Sequence, residues 1–238
     1  ILNTPEPVPE DIPVPGTDHD AIRNIIDQAP EGYLLPAQVS ALLDAAGIHR
    51  AKEALAHTEK EAVKAAAFVG YPLVMKVVGP VHKSDVGGVR MHIRDKETVL
   101  ETFREMMSIK GAISVLLQSQ LSGRELFIGA KREPSFGHTV ICGLGGIFVE
   151  VLKDISTGLS PVSAEEASRM VRSLKGYGLI RGVRGQEGVN EDLFVGAVRR
   201  ISALCQSAPE IAEMDLNPLL GTMRDVVAVD ARIRITKR

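Results

Sequence analysis

The stretch Leu73-Val74-Met75-Lys76-Val77-Val78, followed by Val81-His82-Lys83-Ser84-Asp85-Val86-Gly87-Gly88-Val89, contains the strongest structural signal in this chain. The first segment is apolar except for Lys76, which is typical of a buried strand with one cation in its middle. The second segment places an imidazole, an ammonium, a hydroxyl and a carboxylate before a glycine pair that permits close backbone approach. Alternation from Val89 to Ile93 predicts another strand. The sequence therefore predicts a strand–loop–strand unit whose polar loop suits a phosphate-like anion.

Helical and strand-like segments alternate on both sides of this unit. Capping boxes at Thr58–Glu61 and Ser163–Glu166 predict the starts of two helices, and Asp95 is predicted to cap a third. Helices are expected near residues 20–28, 36–46, 59–70, 95–107, 163–174 and 191–206. Strands are expected near residues 73–78, 89–93, 113–118, 125–131, 139–142, 148–152, 211–216 and 226–231. The β-rich middle argues against a simple doubly wound sheet, so the predicted fold class is α+β, a mixed α/β architecture.

The beginning of the chain has a different composition. Residues 1–18 contain Pro5, Pro7, Pro9, Pro13 and Pro15, which exclude a regular helix there and suit a tether to a preceding domain. We therefore predict a Pro-rich linker or arm over residues 1–30 and a folded domain of two lobes over residues 31–238.

Composition excludes several classes of protein. The formal net charge of -2, the 4% aromatic content and the absence of Trp are untypical of a nucleic-acid-binding protein. No apolar run approaches the roughly 20 residues that a membrane span requires. Cys142 and Cys205 are too few for a disulfide framework or a cysteine zinc site, which favours a reducing, cytoplasmic setting.

Lys76 and His82 are the first candidates for chemistry. Lys76 either lies on the exposed face of a half-buried strand or is held on the sheet to bind phosphate. His82 is either a solvated loop histidine or a group that accepts a phosphoryl group or transfers a proton. The neighbouring Lys83 ammonium would attract phosphoryl oxygens and favours the second interpretation.

A second cluster of candidates lies near the end of the chain. Asp215 and Asn217 are two residues apart in a predicted strand, so their side chains would share one face. With Asp230 from a neighbouring strand, these oxygens would suit Mg²⁺ that retains water and bridges phosphates. The alternative is that Asn217-Pro218 begins a turn and Asp215 pairs with a basic residue. Glu125 and Glu150 are further carboxylates among apolar strand residues, and Gly143 to Gly146 could cradle phosphate or form a simple turn.

The stretch Tyr71–Val78 with His82–Val89 resembles the ATP-grasp domain of ADP-forming acyl-CoA synthetases, which belong to the succinyl-CoA synthetase superfamily. The resemblance covers roughly residues 35–235 in the order of the family. Further matching segments are Gly123–Leu126, Gly129–Arg132, Gly143–Glu150, Leu174–Gly176 and Met214–Leu219.

This resemblance implies two α+β lobes that clamp ATP or ADP with Mg²⁺, preceded by a Pro-rich linker. It also implies an acid–thiol ligase that converts acyl-CoA, ADP and phosphate into the acid, CoA and ATP through phosphohistidine. The implied partner is a CoA-binding, ligase-like domain, either as a separate α subunit or as another part of the same polypeptide. This chain alone would then perform the nucleotide half-reaction.

Roles for individual residues also follow from the resemblance. His82 would be the phosphohistidine that passes its phosphoryl group to ADP, with Lys83 and Asp215 assisting catalysis. Mg²⁺ would bind Asp215, Asn217 and Asp230. The residues that would contact the nucleotide are Lys76 at the phosphates, Gly87, Gly88, the adenine hinge Gln118, Ser119 and Gln120, Glu125 near the ribose, and Glu150.

Two other functions use a similar domain. Protein lysine acetyltransferases contain it as a regulatory domain, but an intact His82 with Asp215 and Asn217 argues against a degenerate copy. A carboxylate–amine ligase of the same fold would form an acyl phosphate, and it would not require a histidine beside Lys83.

Overall fold

The computed structural model describes residues 14–79, 87–146, 153–183, 185 and 187–237. The predicted strand at 148–152 and the loop that contains His82 lie outside these residues. The helices are α1 (His19–Gln28), α2 (Pro36–Ala45), α3 (Glu59–Val69), α4 (Lys96–Met107), α5 (Ala164–Arg172), α6 (Tyr177–Arg181) and α7 (Glu191–Ser207). The strands are β1 (Gly32–Tyr33), β2 (Glu53–Ala56), β3 (Leu73–Val78), β4 (Val89–Ile93), β5 (Ser114–Ser119), β6 (Arg124–Glu133), β7 (Gly137–Leu144), β8 (Ile155–Leu159), β9 (Ile211–Gly221), β10 (Val226–Ala228) and β11 (Ala231–Ile235).

The chain divides into two compact units. Unit 1 comprises Ile1–Arg50 and Gly123–Arg238, and unit 2 comprises Ala51–Ser122. Each unit combines helices with an antiparallel sheet, which confirms the predicted mixed α+β class.

Unit 1 is built on a sheet that has seven strands among the described residues, in the order β1-β11-β9-β6-β7-β8 with β10 paired to β9. Helices α5 and α7 pack against β6, β7 and β8. Ile128, Val140 and Leu216 from the sheet are buried with Phe194 and Ile201 from α7. We call the opposite side of this sheet the outer face of unit 1.

Unit 2 has a four-stranded sheet in the order β2-β5-β3-β4. Leu73, Met75 and Val77 on β3 form a core with Ala62 on α3 and Phe103 on α4. Because side chains alternate along a strand, the even-numbered residues of β3, including Lys76, point to the side away from these helices.

Local signals place the helix starts as predicted. The Asp95 carboxylate accepts a hydrogen bond from Thr98 N at 2.7 Å, and the Thr58 hydroxyl accepts one from Glu61 N at 3.2 Å. The Glu61 carboxylate, however, accepts from His57 N at 2.7 Å, one residue before the amide expected for a capping box. Each cap satisfies a backbone donor that the helix itself leaves without a partner.

The end of the chain differs from the predicted pattern. Strand β9 continues through Asn217 and Pro218, so this pair does not begin a turn. The strand predicted over 226–231 is two strands, because Val229 N and Asp230 N both donate to Pro218 O, at 3.1 and 3.4 Å, outside the regular ladder.

Helix α1 lies within the range predicted as a linker. Its Ile22 and Ile26 side chains are fully buried in the core of unit 1. The Asp18 carboxylate caps the helix by accepting a hydrogen bond from Ala21 N at 2.9 Å. The predicted helix at 20–28 is thus confirmed, whereas the division of the chain at residue 30 stays a prediction.

Candidate functional site

Strand β9 holds two of the predicted metal ligands on one side of the sheet. Met214 and Leu216 are buried in the core of unit 1, whereas Asp215 between them is exposed and Asn217 is half-buried. Since side chains alternate along a strand, Asp215 and Asn217 share the outer face of unit 1, as their spacing predicts.

Asp230 is tied to the same strand. The backbone amide of Asn217 donates a hydrogen bond to the carbonyl oxygen of Asp230 at 3.1 Å. Asp230 directly precedes β11, in which Arg232 is the cross-strand partner of Asp215. The structure therefore places Asp215 and Asn217 on β9 beside Asp230, which precedes the adjacent strand β11.

The electrostatics of this cluster centre on Asp215. Partial desolvation by the surrounding strands raises the pKa of its carboxyl group even though the side chain reaches solvent. The Arg232 guanidinium opposes this rise in the pKa, whereas the nearby Asp230 carboxylate adds to it. A bound cation would offset the cost of keeping the Asp215 carboxylate charged in this partly desolvated position.

The donor set fits Mg²⁺. Two carboxylates and one amide oxygen are hard oxygen ligands, which suit magnesium better than zinc or copper. Over the described part of the chain, no three His, Cys, Asp or Glu side chains group together as a metal site. Asp215, Asn217 and Asp230 would hold the ion with water and phosphate oxygens as its other ligands, which is how magnesium usually binds at nucleotide sites.

Two neighbours of Asp215 were not identified from the sequence. Gly129 on β6 and Arg232 on β11 are its cross-strand partners. A Cβ atom at Gly129 would lie 2.9 Å from the Phe127 ring, so this aromatic side chain lies over Gly129 on the outer face. Arg232 and Arg234 alternate with isoleucines, which is a strand signal that the prediction ending at residue 231 missed, and alternation does not identify a strand's partner.

Glu125 lies against the predicted glycine-rich turn. Its carbonyl oxygen accepts a hydrogen bond from Gly145 N at 2.8 Å. A Cβ atom at Gly146, where φ is +59°, would overlap the Glu125 carboxylate. The positive φ favours glycine at this point, whereas the flexible Glu125 side chain could move to admit a Cβ atom.

Lys76 is buried in unit 2, with 8% of its surface exposed. Its Nζ donates a hydrogen bond to Gln118 Oε1 at 2.9 Å, and Gln118 Nε2 donates to Glu53 Oε2 at 2.8 Å. The structure thus rejects the interpretation of Lys76 as a lysine on an exposed strand face. Glu53 was not identified from the sequence, because one glutamate at the start of a short strand is an ordinary surface pattern.

The predicted adenine hinge follows directly from Gln118. Ser119 N donates to Lys52 O at 2.9 Å and Gln120 N donates to Pro72 O at 3.1 Å, so both amides have protein partners. A base at this segment would therefore meet side chains or carbonyl oxygens more readily than these amides. The role of the hinge stays a prediction.

The Gln120 side chain is held by His92. Its Oε1 accepts from His92 N at 2.6 Å, and its Nε2 lies 2.8 Å from His92 Nδ1. Because the backbone amide can only donate, Oε1 must face it, which leaves the amide nitrogen to donate to Nδ1. His92 has a φ of 61°, an uncommon value for a residue other than glycine.

Gly87 and Gly88 directly precede strand β4. Gly88 O accepts a hydrogen bond from Val77 N at 2.8 Å, and Gly87 O accepts one from Arg90 at 3.2 Å. His82 and Lys83, together with Glu150, lie outside the described residues, so their predicted roles stay predictions.

Comparison with known families agrees with the fold. A family model described as an ATP-grasp domain matches residues 26–235. The chain is 37% identical over 223 residues to subunit beta of acetate–CoA ligase (ADP-forming) I from Pyrococcus furiosus, which covers 89% of this chain and 96% of that subunit. It is 44% identical over 211 residues to acetate–CoA ligase (ADP-forming) II from Archaeoglobus fulgidus, which covers 86% of this chain but 31% of that protein. The chain thus spans nearly a whole β subunit and about a third of a single-chain relative.

Solved structures give the same result. The fold matches acetyl-coenzyme A synthetase 1 of Ca. Korarchaeum cryptofilum, in complex with coenzyme A and Ca-AMPCP, with a TM-score of 0.84 and 36% identity over 92% of this chain and 100% of that one. Another structure of that enzyme contains Mg-AMPPCP and a phosphohistidine segment that points towards the nucleotide-binding site. It matches with a TM-score of 0.80 and 35% identity over the same shares of the two chains. The predicted ATP-grasp fold is therefore confirmed. Among the described residues, no helix has the length and apolar character that crossing a membrane requires.

Proposed function

The chain belongs to the ATP-grasp domain family and is related to ADP-forming acetate–CoA ligases. We propose that it is the nucleotide-binding, phosphoryl-transferring part of an ADP-forming acyl-CoA synthetase. The overall reaction would convert acyl-CoA, ADP and phosphate into the carboxylic acid, CoA and ATP. The observation that carries the proposal is the match to a ligase β subunit over 96% of that subunit's length.

In unit 1, the outer face would bind the metal–phosphate end of the nucleotide. Asp215, Asn217 and Asp230 would hold Mg²⁺, and Asp215 would also take part in catalysis. When bound, the ion would neutralise charge on the phosphate oxygens. The Glu125 carboxylate beside the glycine turn would accept hydrogen bonds from ribose hydroxyl groups, because an ionised carboxylate is an acceptor only.

In unit 2, the buried Lys76 ammonium would bind the nucleotide phosphates. A phosphate is a strong partner for a cation that protein atoms shield from water. The segment from Gln118 to Gln120 would lie along the adenine base, and the backbone of Gly87 and Gly88 would approach the nucleotide closely. Glu150 would also contact the nucleotide.

His82 would carry the phosphoryl group. In the direction of ATP use, an imidazole nitrogen lone pair forms a bond to the γ-phosphorus while the bond from that phosphorus to the β–γ bridging oxygen breaks. ADP then leaves with the electron pair of the broken bond. The reverse step returns the phosphoryl group to ADP, and the Lys83 ammonium would neutralise charge on the transferred oxygens.

The chain would act with a CoA-binding, ligase-like partner. That partner, an α subunit or another part of the same polypeptide, would supply the acyl-CoA chemistry and the first phosphohistidine. The lengths of two relatives from Archaeoglobus fulgidus support a role for such a partner. Each of these proteins is about three times as long as the part that matches this chain. A cytoplasmic location follows from the supply of ADP and CoA that such an enzyme would need.

A labelling experiment tests the proposal. The chain is incubated with γ-labelled ATP and Mg²⁺, and protein-bound phosphate is tested for acid lability and base stability. We expect such label in the native chain and in a His57→Ala control, and none in His82→Ala. A chase with unlabelled ADP should return the label as ATP. Label that survives in His82→Ala would contradict the shuttle, and acid-stable label would favour another type of ligase.

A further inference from the structure

A chain of polar side chains crosses three adjacent strands of unit 2. Lys76 on β3 donates to the Gln118 amide oxygen on β5 at 2.9 Å. The Gln118 amide nitrogen in turn donates to the Glu53 carboxylate on β2 at 2.8 Å. Gln118 is paired with Glu53 on one side and with Val74, two residues before Lys76, on the other. The strand register alone thus places the glutamine between the carboxylate and the ammonium.

The chemistry of the two ends determines how the amide is oriented. An ionised carboxylate can only accept hydrogen bonds, and an ammonium can only donate them. The Gln118 amide has one acceptor end and one donor end, so a single orientation satisfies both neighbours. Glu53 therefore holds the NH₂ end and turns the carbonyl oxygen towards Lys76. Without that carboxylate, the ammonium would still favour this orientation, but the amide NH₂ would lose the charged acceptor that holds its other end.

Burial makes this orientation important. Gln118 is 2% exposed and Lys76 is 8% exposed, whereas Glu53 is half-buried. Water cannot easily replace a lost partner at the two buried groups, so a flipped amide would place an N–H donor against the ammonium. The Lys76 side chain, which has several rotatable bonds, would then leave the position that this network gives it.

We propose that Glu53 is a positioning residue, which holds the Lys76 ammonium in place for a nucleotide phosphate through the Gln118 amide. This inference rests on the proposed function of Lys76 as a phosphate-binding residue. Glu53 itself would not touch the nucleotide. Its effect on binding would therefore depend on the presence of Lys76, which is not expected of a residue that acts on stability alone.

Glu53→Gln tests the role of the carboxylate with almost no change of shape. Affinity for AMPPCP in the presence of Mg²⁺ is measured by calorimetry on the full chain, with thermal melting as a check of folding. We expect binding about tenfold weaker than in the native chain, the effect of losing one charge-assisted hydrogen bond. Glu101→Gln, a change at an exposed helical position of the same unit, serves as the matched control and should bind as the native chain does.

A double-mutant cycle separates positioning from general destabilisation. Lys76→Met should weaken binding, and adding Glu53→Gln to it should weaken binding no further. If Glu53→Gln binds as tightly as the native chain, or if its effect is the same with and without Lys76, the inference is wrong. If Glu53→Gln does not fold, the cycle is run with Glu53→Asp, which keeps the charge but retracts it by one methylene. Native-like affinity of Glu53→Asp, or an effect of Glu53→Asp that is the same with and without Lys76, would then show that the inference is wrong.

The same measurements distinguish this inference from the proposed function. If the native chain does not bind Mg-AMPPCP, or if Lys76→Met leaves its affinity unchanged, the role of Lys76 fails and the inference fails with it. If Lys76→Met weakens binding but Glu53→Gln does not, the proposed function stands and the role of Glu53 alone is rejected.

Discussion

The backbone amide of Asn217 donates a hydrogen bond to the carbonyl oxygen of Asp230 at 3.1 Å. This bond joins strand β9 to the residue that precedes β11, so the main chain at Asn217 is linked directly to the main chain at Asp230. The geometry of the cluster is therefore set by main-chain contacts, and side-chain substitutions should change its ligand chemistry with little change of backbone.

Asp215→Asn should abolish most of the magnesium-dependent affinity for ADP. The substitution keeps the shape of the side chain and removes one negative charge, and we expect affinity to fall by about tenfold or more, given the 10–100-fold effects of weaker changes around metal sites. Calorimetric titration with Mg-ADP measures this effect. Glu165→Gln, on helix α5 at the other face of the sheet, is the control. Equal affinity of Asp215→Asn and the native chain would refute the metal assignment.

Asp154 should be important for the stability of unit 1. Its buried carboxylate accepts hydrogen bonds from Lys175 N at 2.8 Å and Gly176 N at 2.7 Å. Asp154→Asn would set an amide NH₂ against one of these donors, and it should lower the free energy of unfolding by about 1–3 kcal/mol. Urea unfolding measures the loss, with the exposed Glu187→Gln as control. If the two variants are equally stable, the buried contacts do not contribute as described.

Gly79 should tolerate substitution less well than Gly70. Both have positive φ, +126° and +87°, so alanine would strain the backbone at either position. A Cβ atom at Gly79 would also overlap the carbonyl oxygen of Gly111, whereas nothing lies within 4 Å of one at Gly70. We expect Gly70→Ala to cost about 1–2 kcal/mol of unfolding free energy and Gly79→Ala about 2 kcal/mol more. Similar losses in urea unfolding would contradict the overlap.

His138 should make the protein less stable in acid. Burial lowers the pKa of its imidazole below the ordinary 6.5, its hydrogen bond to Ile211 O opposes the shift, and Arg132 adds to it. The unfolded chain therefore binds a proton at a higher pH than the folded one. The contribution to stability is complete above about pH 6.5 and is lost as the pH falls to the folded-state pKa.

The measurement is urea unfolding across this pH range for the native chain and His138→Gln. The glutamine does not titrate, so this variant should show a weaker decline of stability in acid. His57→Gln, at an exposed position, should decline like the native chain. A native-like decline in His138→Gln would assign the acid sensitivity to other groups.

Features that depend on a few neighbouring residues could be predicted from the sequence. The caps at Thr58 and Asp95 follow from local hydrogen bonding, and the shared face of Asp215 and Asn217 follows from the two-residue period of a single strand. The family resemblance at Tyr71–Val89 likewise rests on contiguous residues. These features need no knowledge of which strands are adjacent.

The tertiary structure alone decided which strands meet and in what register. Lys76 and Gln118 are 42 residues apart, and Gln118 and Glu53 are 65 residues apart, so their network exists only because β5 lies between β2 and β3. Arg232 meets Asp215 for the same reason. A strand's own pattern specifies which side chains share a face, but its partner is chosen by burial and hydrogen bonding summed over the whole sheet.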